Sequence, residues 1–240
     1  MAQYKIIENR QIASDVYWMS LEGACPVLPA GTFVEIQVPD CYLRRPFSVA
    51  ASDEGRFAVI YKVVGKGTDL MSRFPVGQQV DVLVNLGNGF DLNCLPKRAL
   101  LAGGGLGVAP LYQLARVLKN SGVPMILAAG FNTGEDVFLQ DEFATLCDEV
   151  HYATMDGSLG HQGFVTELFS SMDFDYYYAC GPLPMLKAVH GSIVANGQLS
   201  LEARMGCGFG ICMGCTIETV AGPKRVCKEG PVFRKEELPW

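Results

Sequence analysis

The chain has 240 residues, 49% hydrophobic and 18% charged, with a formal net charge of -6, which suits about two folded domains and excludes a disordered chain. The acidic balance argues against nucleic acid or an anionic membrane as partner, since either needs a basic face, and no stretch approaches the ~20 apolar residues of a membrane span. The first ten residues carry Lys5, Glu8 and Arg10 and lack the apolar region of a signal peptide, so a cytoplasmic protein is the expectation.

Residues 1–95 read as an antiparallel β-barrel. Runs rich in β-branched and aromatic residues at 4–8, 16–22, 33–38, 47–51, 57–63 and 79–84 are separated by turn segments such as Leu28-Pro29-Ala30-Gly31 and Ser52-Asp53-Glu54-Gly55. One helical turn is expected over 68–74, with Thr68 as its N-cap. Residues 96–198 alternate instead: strands at 98–102, 124–130, 150–154 and 176–180, helices at 108–119, 137–146, 164–172 and 184–195. That alternation describes a parallel α/β sheet, whose ligands sit at the carboxyl ends of its strands. Residues 199–240 form a third unit, too short to bury a core of its own without a staple.

Four of the nine cysteines, Cys207, Cys212, Cys215 and Cys227, fall within 21 residues of that unit. Their spacing is C-x4-C-x2-C-x11-C, and the first three match the plant-type pattern of a [2Fe–2S] cluster. A tight loop is needed to turn three thiolates onto one cluster, and Gly206, Gly208, Gly210 and Gly214 interleave the ligands accordingly. The alternative is a structural zinc site, usually built from paired C-x2-C knuckles, of which only Cys212 and Cys215 form one. The apolar Met205, Phe209, Ile211 and Met213 either exclude water from the site or form a docking face for an electron-transfer partner. Cys25, Cys41, Cys94 and Cys147 read as small buried apolar residues, and His151, His161 and His190 as surface or packing residues.

Arg44-Arg45-Pro46-Phe47-Ser48 opens a strand of the barrel, and Tyr61-Lys62-Val63-Val64-Gly65-Lys66-Gly67-Thr68 leads into the short helix. An arginine for pyrophosphate, an aromatic ring and a hydroxyl suit a flavin, and small residues at a helix start let N–H groups approach phosphate. Gly103-Gly104-Gly105-Leu106-Gly107-Val108-Ala109-Pro110 follows a strand and opens a helix, the place for a phosphate-binding turn, although Pro110 takes the last glycine position of the dinucleotide fingerprint. Between Lys119 and Lys187 there are ten acidic residues and no lysine or arginine. A 2′-phosphate usually needs such a cation, so NAD is preferred over NADP.

With these residues, the chain resembles the ferredoxin–NADP reductase superfamily and, within it, the electron-transfer subunits of NAD-dependent dihydroorotate dehydrogenases. The resemblance rests on Arg45-Pro46-Phe47-Ser48, on the glycine turn from Gly103 to Pro110, on Cys180-Gly181-Pro182-Leu183-Pro184-Met185, and on Cys207 to Cys227 with the closing Gly230-Pro231-Val232-Phe233. It implies an N-terminal FAD-binding β-barrel, a central parallel α/β nicotinamide domain and a small C-terminal [2Fe–2S] domain. Arg45, Pro46, Phe47, Ser48, Tyr61, Lys62, Val63, Gly67 and Thr68 would hold FAD. Gly103, Gly104, Gly105, Gly107, Cys180, Gly181 and Pro182 would frame NAD, with Cys180 a catalytic candidate. The four clustered cysteines would ligate iron. The resemblance also implies an FMN-containing catalytic subunit as partner, in a heterotetramer with two copies of each subunit. Reductase subunits of a hydrogenase, sulfide dehydrogenase or transhydrogenase would share these motifs.

Overall fold

The structure is a computed structural model and describes residues 2–240. Strands β1 (Ala2–Ala13), β2 (Val16–Glu22), β3 (Phe33–Ile36), β4 (Arg45–Asp53), β5 (Arg56–Lys62) and β6 (Gln79–Leu86) close into a barrel in the order β1-β2-β5-β4-β3-β6. Every pairing in it is antiparallel. Strand periodicity sorts the side chains: on β5, Val59 and Tyr61 fill the barrel while Ile60 packs toward the second domain. Helix α1 (Lys66–Ser72) starts earlier than the sequence suggested. Gly65 is its N-cap, and Thr68 stands at the third helical position. From there the Thr68 hydroxyl reaches back to accept the N–H groups of Val64 (2.9 Å) and Gly65 (3.3 Å), so it caps from inside the helix.

The second domain contains β7 (Ala99–Gly104), α2 (Val108–Asn120), β8 (Met125–Phe131), α3 (Gln140–Leu146), β9 (Glu149–Thr154), β10 (His161–Gln162), β11 (Tyr176–Cys180), α4 (Leu183–Ser192) and β12 (Asn196–Ser200). The C-terminal segment adds the hairpin β13 (Thr216–Thr219) and β14 (Gly222–Arg225), then β15 (Val232–Arg234). The main sheet runs β10-β9-β8-β7-β11-β12-β15, parallel except for the last pair. Two helical expectations change. Residues 137–139 stay outside α3, with Leu139 in the left-handed region at φ 58°, and Val165–Ser171 forms a 3-10 helix in place of an α-helix. The border expected at 198/199 falls inside β12.

Alternate residues of β7, β8 and β11 serve two cores. Leu101, Leu127 and Tyr178 pack under α2, where Val108, Leu111, Leu114, Ala115 and Leu118 recur at helical spacing. Leu100, Ile126 and Tyr177 face the other way, into a cluster that includes Val189 of α4. Cys215, Val226, Cys227, Phe233 and Leu238 belong to this same cluster. The C-terminal unit therefore has no separate core and completes one face of the sheet.

Polar ties lock the units together. The amide of Gln113 on α2 accepts the Ser52 N–H (3.1 Å) on β4. The connection after β6 is held twice: Asn88 donates through Nδ2 to the Lys228 (2.9 Å) and Glu229 (3.2 Å) carbonyls, and Gln198 exchanges two 2.8 Å bonds with the Asp91 backbone. Gln198 is 3% exposed. Replacing it with leucine leaves the Asp91 N–H and carbonyl unpaired in a recessed place. The expected cost is about 1–3 kcal/mol per orphaned group, read as a lower urea midpoint.

Candidate functional site

A cavity of 610 Å³ opens at the carboxyl ends of β7, β8 and β11. Gly104, Gly105 and Pro182 line it, as do Phe131, Phe164 and Met185. Gly103, Gly107, Cys180 and Gly181 lie outside this lining; Gly107 and Cys180 are buried and stack against one another. A Cβ on Gly107 would overlap the Cys180 carbonyl oxygen, so the β7–α2 turn approaches β11 only because residue 107 lacks a side chain. Among the described residues the one cation on the cavity wall comes from the barrel: Lys62 Nζ lies 2.7 Å from Asp136 Oδ1. Sequence separation hid this lysine from the local charge argument, yet its partner is one of the ten acids that argument counted.

Cys180 is 2% exposed. Burial, reinforced by Glu202 and opposed by hydrogen bonds from Ser200 and the Gly181 N–H, pushes its thiol up to about 12. It is a neutral thiol in this setting, unsuited to act as a thiolate nucleophile. Glu202 was not anticipated. Its side chain reaches solvent but is recessed among protein atoms, and that desolvation raises its carboxyl above the ordinary range. A lone glutamate carries no motif; only its place just past the carboxyl end of a parallel strand marks it, and β12 itself was not foreseen.

On the barrel, the start of β4 and the first turn of α1 face one another. Arg45 Nη1 donates to the Leu43 carbonyl (2.6 Å), and a Cβ on Gly67 would stand 2.9 Å from Arg45 Nε. The guanidinium thus lies over the helix start, where first-turn N–H groups have no intrahelical acceptor. Pro46 is exposed, and Phe47 and Ser48 are half-buried. The Val63 N–H donates to the Asp15 carbonyl (2.8 Å). Tyr61 departs from the expectation. It is 1% exposed, its ring stacks on Tyr17, and its hydroxyl donates to Asn9 Oδ1 (2.9 Å). Strand alternation turns that ring into the barrel, leaving only its backbone toward the outside.

The four clustered cysteines meet as two pairs. Cys207 Sγ accepts the N–H groups of Ile211 (3.3 Å) and Cys212 (3.4 Å) and contacts the Cys212 thiol. Cys215 Sγ accepts the Cys227 N–H (3.4 Å) and contacts the Cys227 thiol. Among the described residues no three Cys, His, Asp or Glu side chains converge as a single metal ion requires. Two thiol pairs, three cysteines on the loop before β13 and the fourth after β14, suit two irons better than one zinc. Cys215 and Cys227 are buried, Cys207 half-buried and Cys212 exposed. Arg225 braces the loop through the Gly210 carbonyl (2.7 Å) and an ion pair with Glu229. Ile211 is 76% exposed, Met213 55% and Phe209 49%. Of the other cysteines, Cys25 and Cys147 are buried as expected, whereas Cys41 is half-buried and Cys94 exposed. His151 and His161 pair with Glu149 and Glu167 at the surface, and His190 packs on Trp240.

Known proteins share this arrangement. The iron-sulfur cluster binding domain of dihydroorotate dehydrogenase B matches residues 202–239, and an oxidoreductase NAD-binding domain matches residues 101–191. The electron transfer subunit of dihydroorotate dehydrogenase B (NAD(+)) from Fusobacterium nucleatum subsp. nucleatum is 41% identical over 96% of this chain and 95% of its own. That from Bacillus caldolyticus is 43% identical over 97% and 96%. The chain belongs to the dihydroorotate dehydrogenase B electron transfer subunits. As an oxidoreductase of this family it also superimposes on a NADH-dependent reduced ferredoxin-NADP oxidoreductase studied for flavin-based electron bifurcation. There the TM-score is 0.88 and the identity 32%, covering 99% of this chain and 90% of that one. A cytochrome P450 reductase from Amycolatopsis gives 0.71 and 25%, covering 80% and 64%.

The paired thiols predict the metal content. Family members purified without oxygen should hold about two irons and two acid-labile sulfides per chain. A single zinc without sulfide would refute the cluster.

Proposed function

We propose that this chain is the subunit that links dihydroorotate oxidation on a partner protein to reduction of NAD+, in the service of pyrimidine biosynthesis. The observation that carries the reading is the relationship over nearly the whole chain, cysteine unit included, to electron transfer subunits of that enzyme. When bound, FAD exchanges hydride with nicotinamide and single electrons with a [2Fe–2S] cluster.

The chain's own residues bind, orient and exclude water. Arg45 and the first turn of α1 are placed for a pyrophosphate, with Phe47 and Ser48 alongside. Gly104, Gly105 and Pro182 line the dinucleotide cavity, and the packing of Gly107 on Cys180 holds the β7–α2 turn against β11 behind it. Cys207, Cys212, Cys215 and Cys227 are the iron ligands in this reading. The exposed Phe209, Ile211 and Met213 around Cys212 support docking of an FMN-containing catalytic subunit there, in a heterotetramer of two copies of each.

Co-expression of the chain with the FMN subunit tests this. The complex should reduce NAD+ on addition of dihydroorotate, and the chain alone should not. An intact complex that is inert to dihydroorotate would move the chain to another oxidoreductase, a reading favoured by its likeness to the bifurcating enzyme.

The Lys62–Asp136 pair accounts for a preference for NAD, because the cavity's cation is already neutralised. Asp136→Asn releases Lys62 toward a 2′-phosphate. The ratio of kcat/KM for NADPH over NADH should rise about tenfold, the worth of one charge-assisted hydrogen bond. An unchanged ratio would show that Lys62 lies out of reach of the ribose.

A further inference from the structure

Two stretches of chain carry the four clustered cysteines, and one side chain ties them together. Cys207 and Cys212 lie on the loop before β13, and Cys227 lies in the turn directly after β14. Arg225, the last residue of β14, closes that turn. Its carbonyl accepts the N–H groups of Lys228 (3.1 Å), Glu229 (2.9 Å) and Gly230 (3.3 Å), so the chain folds back around Cys227. Its own N–H and its Nε donate to Glu229 Oε2 (2.7 and 3.0 Å), and its Nη2 donates to Glu229 Oε1.

One edge of the guanidinium is left, and it points out of the turn. Nη1 donates to the carbonyl of Gly210 (2.7 Å), which lies between Cys207 and Cys212. The same nitrogen is 3.9 Å from Sδ of Met213, between Cys212 and Cys215. A second contact shows the two stretches abutting. Gly210 takes φ +88°, and a Cβ there would stand 2.6 Å from Lys228 Cδ, so the loop backbone lies against the stem of the residue after Cys227. The Arg225 and Glu229 side chains are 23% and 31% exposed, a setting in which an ion pair by itself contributes little. What this pair supplies is direction: the carboxylate holds Nε and Nη2 in a fork, and the fork aims Nη1 at the loop.

We propose that Arg225, held by Glu229, is a positioning residue for the cluster, clasping the loop of Cys207 and Cys212 to the turn of Cys227 and so setting the spacing of the two thiol pairs. This rests on the reading of the four cysteines as a [2Fe–2S] site. Arg225 is not a ligand; it acts through the Gly210 carbonyl. The clasp is made of protein groups alone and needs no metal to form. A lysine, a single point charge, cannot hold the carboxylate with two nitrogens and reach the loop with a third.

The test uses the holoprotein with Arg225→Met, Arg225→Lys, Glu229→Ala and, as a control, Lys224→Met. Lys224 pairs with Glu237 (2.6 Å) at similar exposure, 28% and 31%, but that partner belongs to the segment after β15 and not to the cysteine loop. FAD content, iron and sulfide content, the EPR spectrum of the reduced cluster and the rate of cluster loss to a chelator are measured. Arg225→Met and Arg225→Lys should each shift the spectrum and lose the cluster about tenfold faster with FAD retained, the worth of one charge-assisted hydrogen bond. Glu229→Ala leaves the arginine but removes its hold, and should shift the spectrum likewise. Adding it to Arg225→Met should change nothing further. Glu229→Ala also decides the matter if the Arg225 variants do not fold. Lys224→Met should keep the wild-type spectrum and cluster lifetime. A wild-type spectrum and lifetime in Arg225→Met or Glu229→Ala overturns the proposal, because the clasp is then idle. Arg225→Lys matching the wild type overturns it too, since charge alone would suffice, as does Lys224→Met matching Arg225→Met, since any ion pair of the unit would serve. Iron and sulfide in the wild-type chain test the cluster reading separately.

Discussion

A unit of about forty residues cannot enclose a hydrophobic core, and the way this chain meets that constraint shapes the rest of it. Cys215, Val226, Cys227 and Phe233 enter the same buried cluster as Leu100, Ile126, Tyr177 and Leu199 of the sheet. β15 adds its backbone to β12, so the unit is fastened by hydrogen bonds as well as by packing. Half of the thiol set is thereby anchored in the core of the nucleotide domain. The other half, Cys207 and Cys212, stays on a loop near the surface. Such a site is rigid where it joins the protein and accessible where a partner must approach.

The same economy governs the joints between units. Ion pairs such as Arg116–Asp53 and Arg234–Asp91 lie near solvent, where each contributes little. The defining ties are neutral: Gln113 to the Ser52 backbone, Gln198 to the Asp91 backbone, and Asn88 to the loop after Cys227. Gln113 and Gln198 are buried, and neutral amides there fix a register without the desolvation cost of a charge, while Asn88 adds its bonds at the surface. They hold three redox-related sites in one frame, which suits a protein whose parts must keep their mutual distances.

Much of this was legible in the residues. The cysteine spacing, the alternation of strand and helix, and the six barrel runs depend on local pattern, and local pattern survives folding. What escaped was set by distant parts of the chain. Asn196-Gly197-Gln198 is too polar to read as a strand, and it becomes one because its backbone pairs with β11 and β15 while Asp91 satisfies the Gln198 amide. Tyr61 sits in a segment that suits a flavin, but strand parity, which a one-residue shift reverses, turns its ring inward. Lys62 pairs with Asp136 across 74 positions. Glu202 is a single acid without a motif, and only its folded surroundings set it apart.

Charge distribution adds a longer-range constraint on the nucleotide. Residues 120–186 hold ten carboxylates and no lysine or arginine; with the whole chain at -6, the remainder is net positive by four. An anionic dinucleotide therefore enters a sheet edge whose own sequence repels it over roughly a Debye length of 8–10 Å. Backbone N–H groups of the β7–α2 turn offset that repulsion for a pyrophosphate, because their dipoles act at contact distance and are least screened there. An extra phosphate on the ribose would meet the same acidic field without such a turn, and with Lys62 already committed to Asp136. The preference proposed above for the unphosphorylated cofactor would then need no steric gate; it would follow from where the chain puts its cations and what it pairs them with.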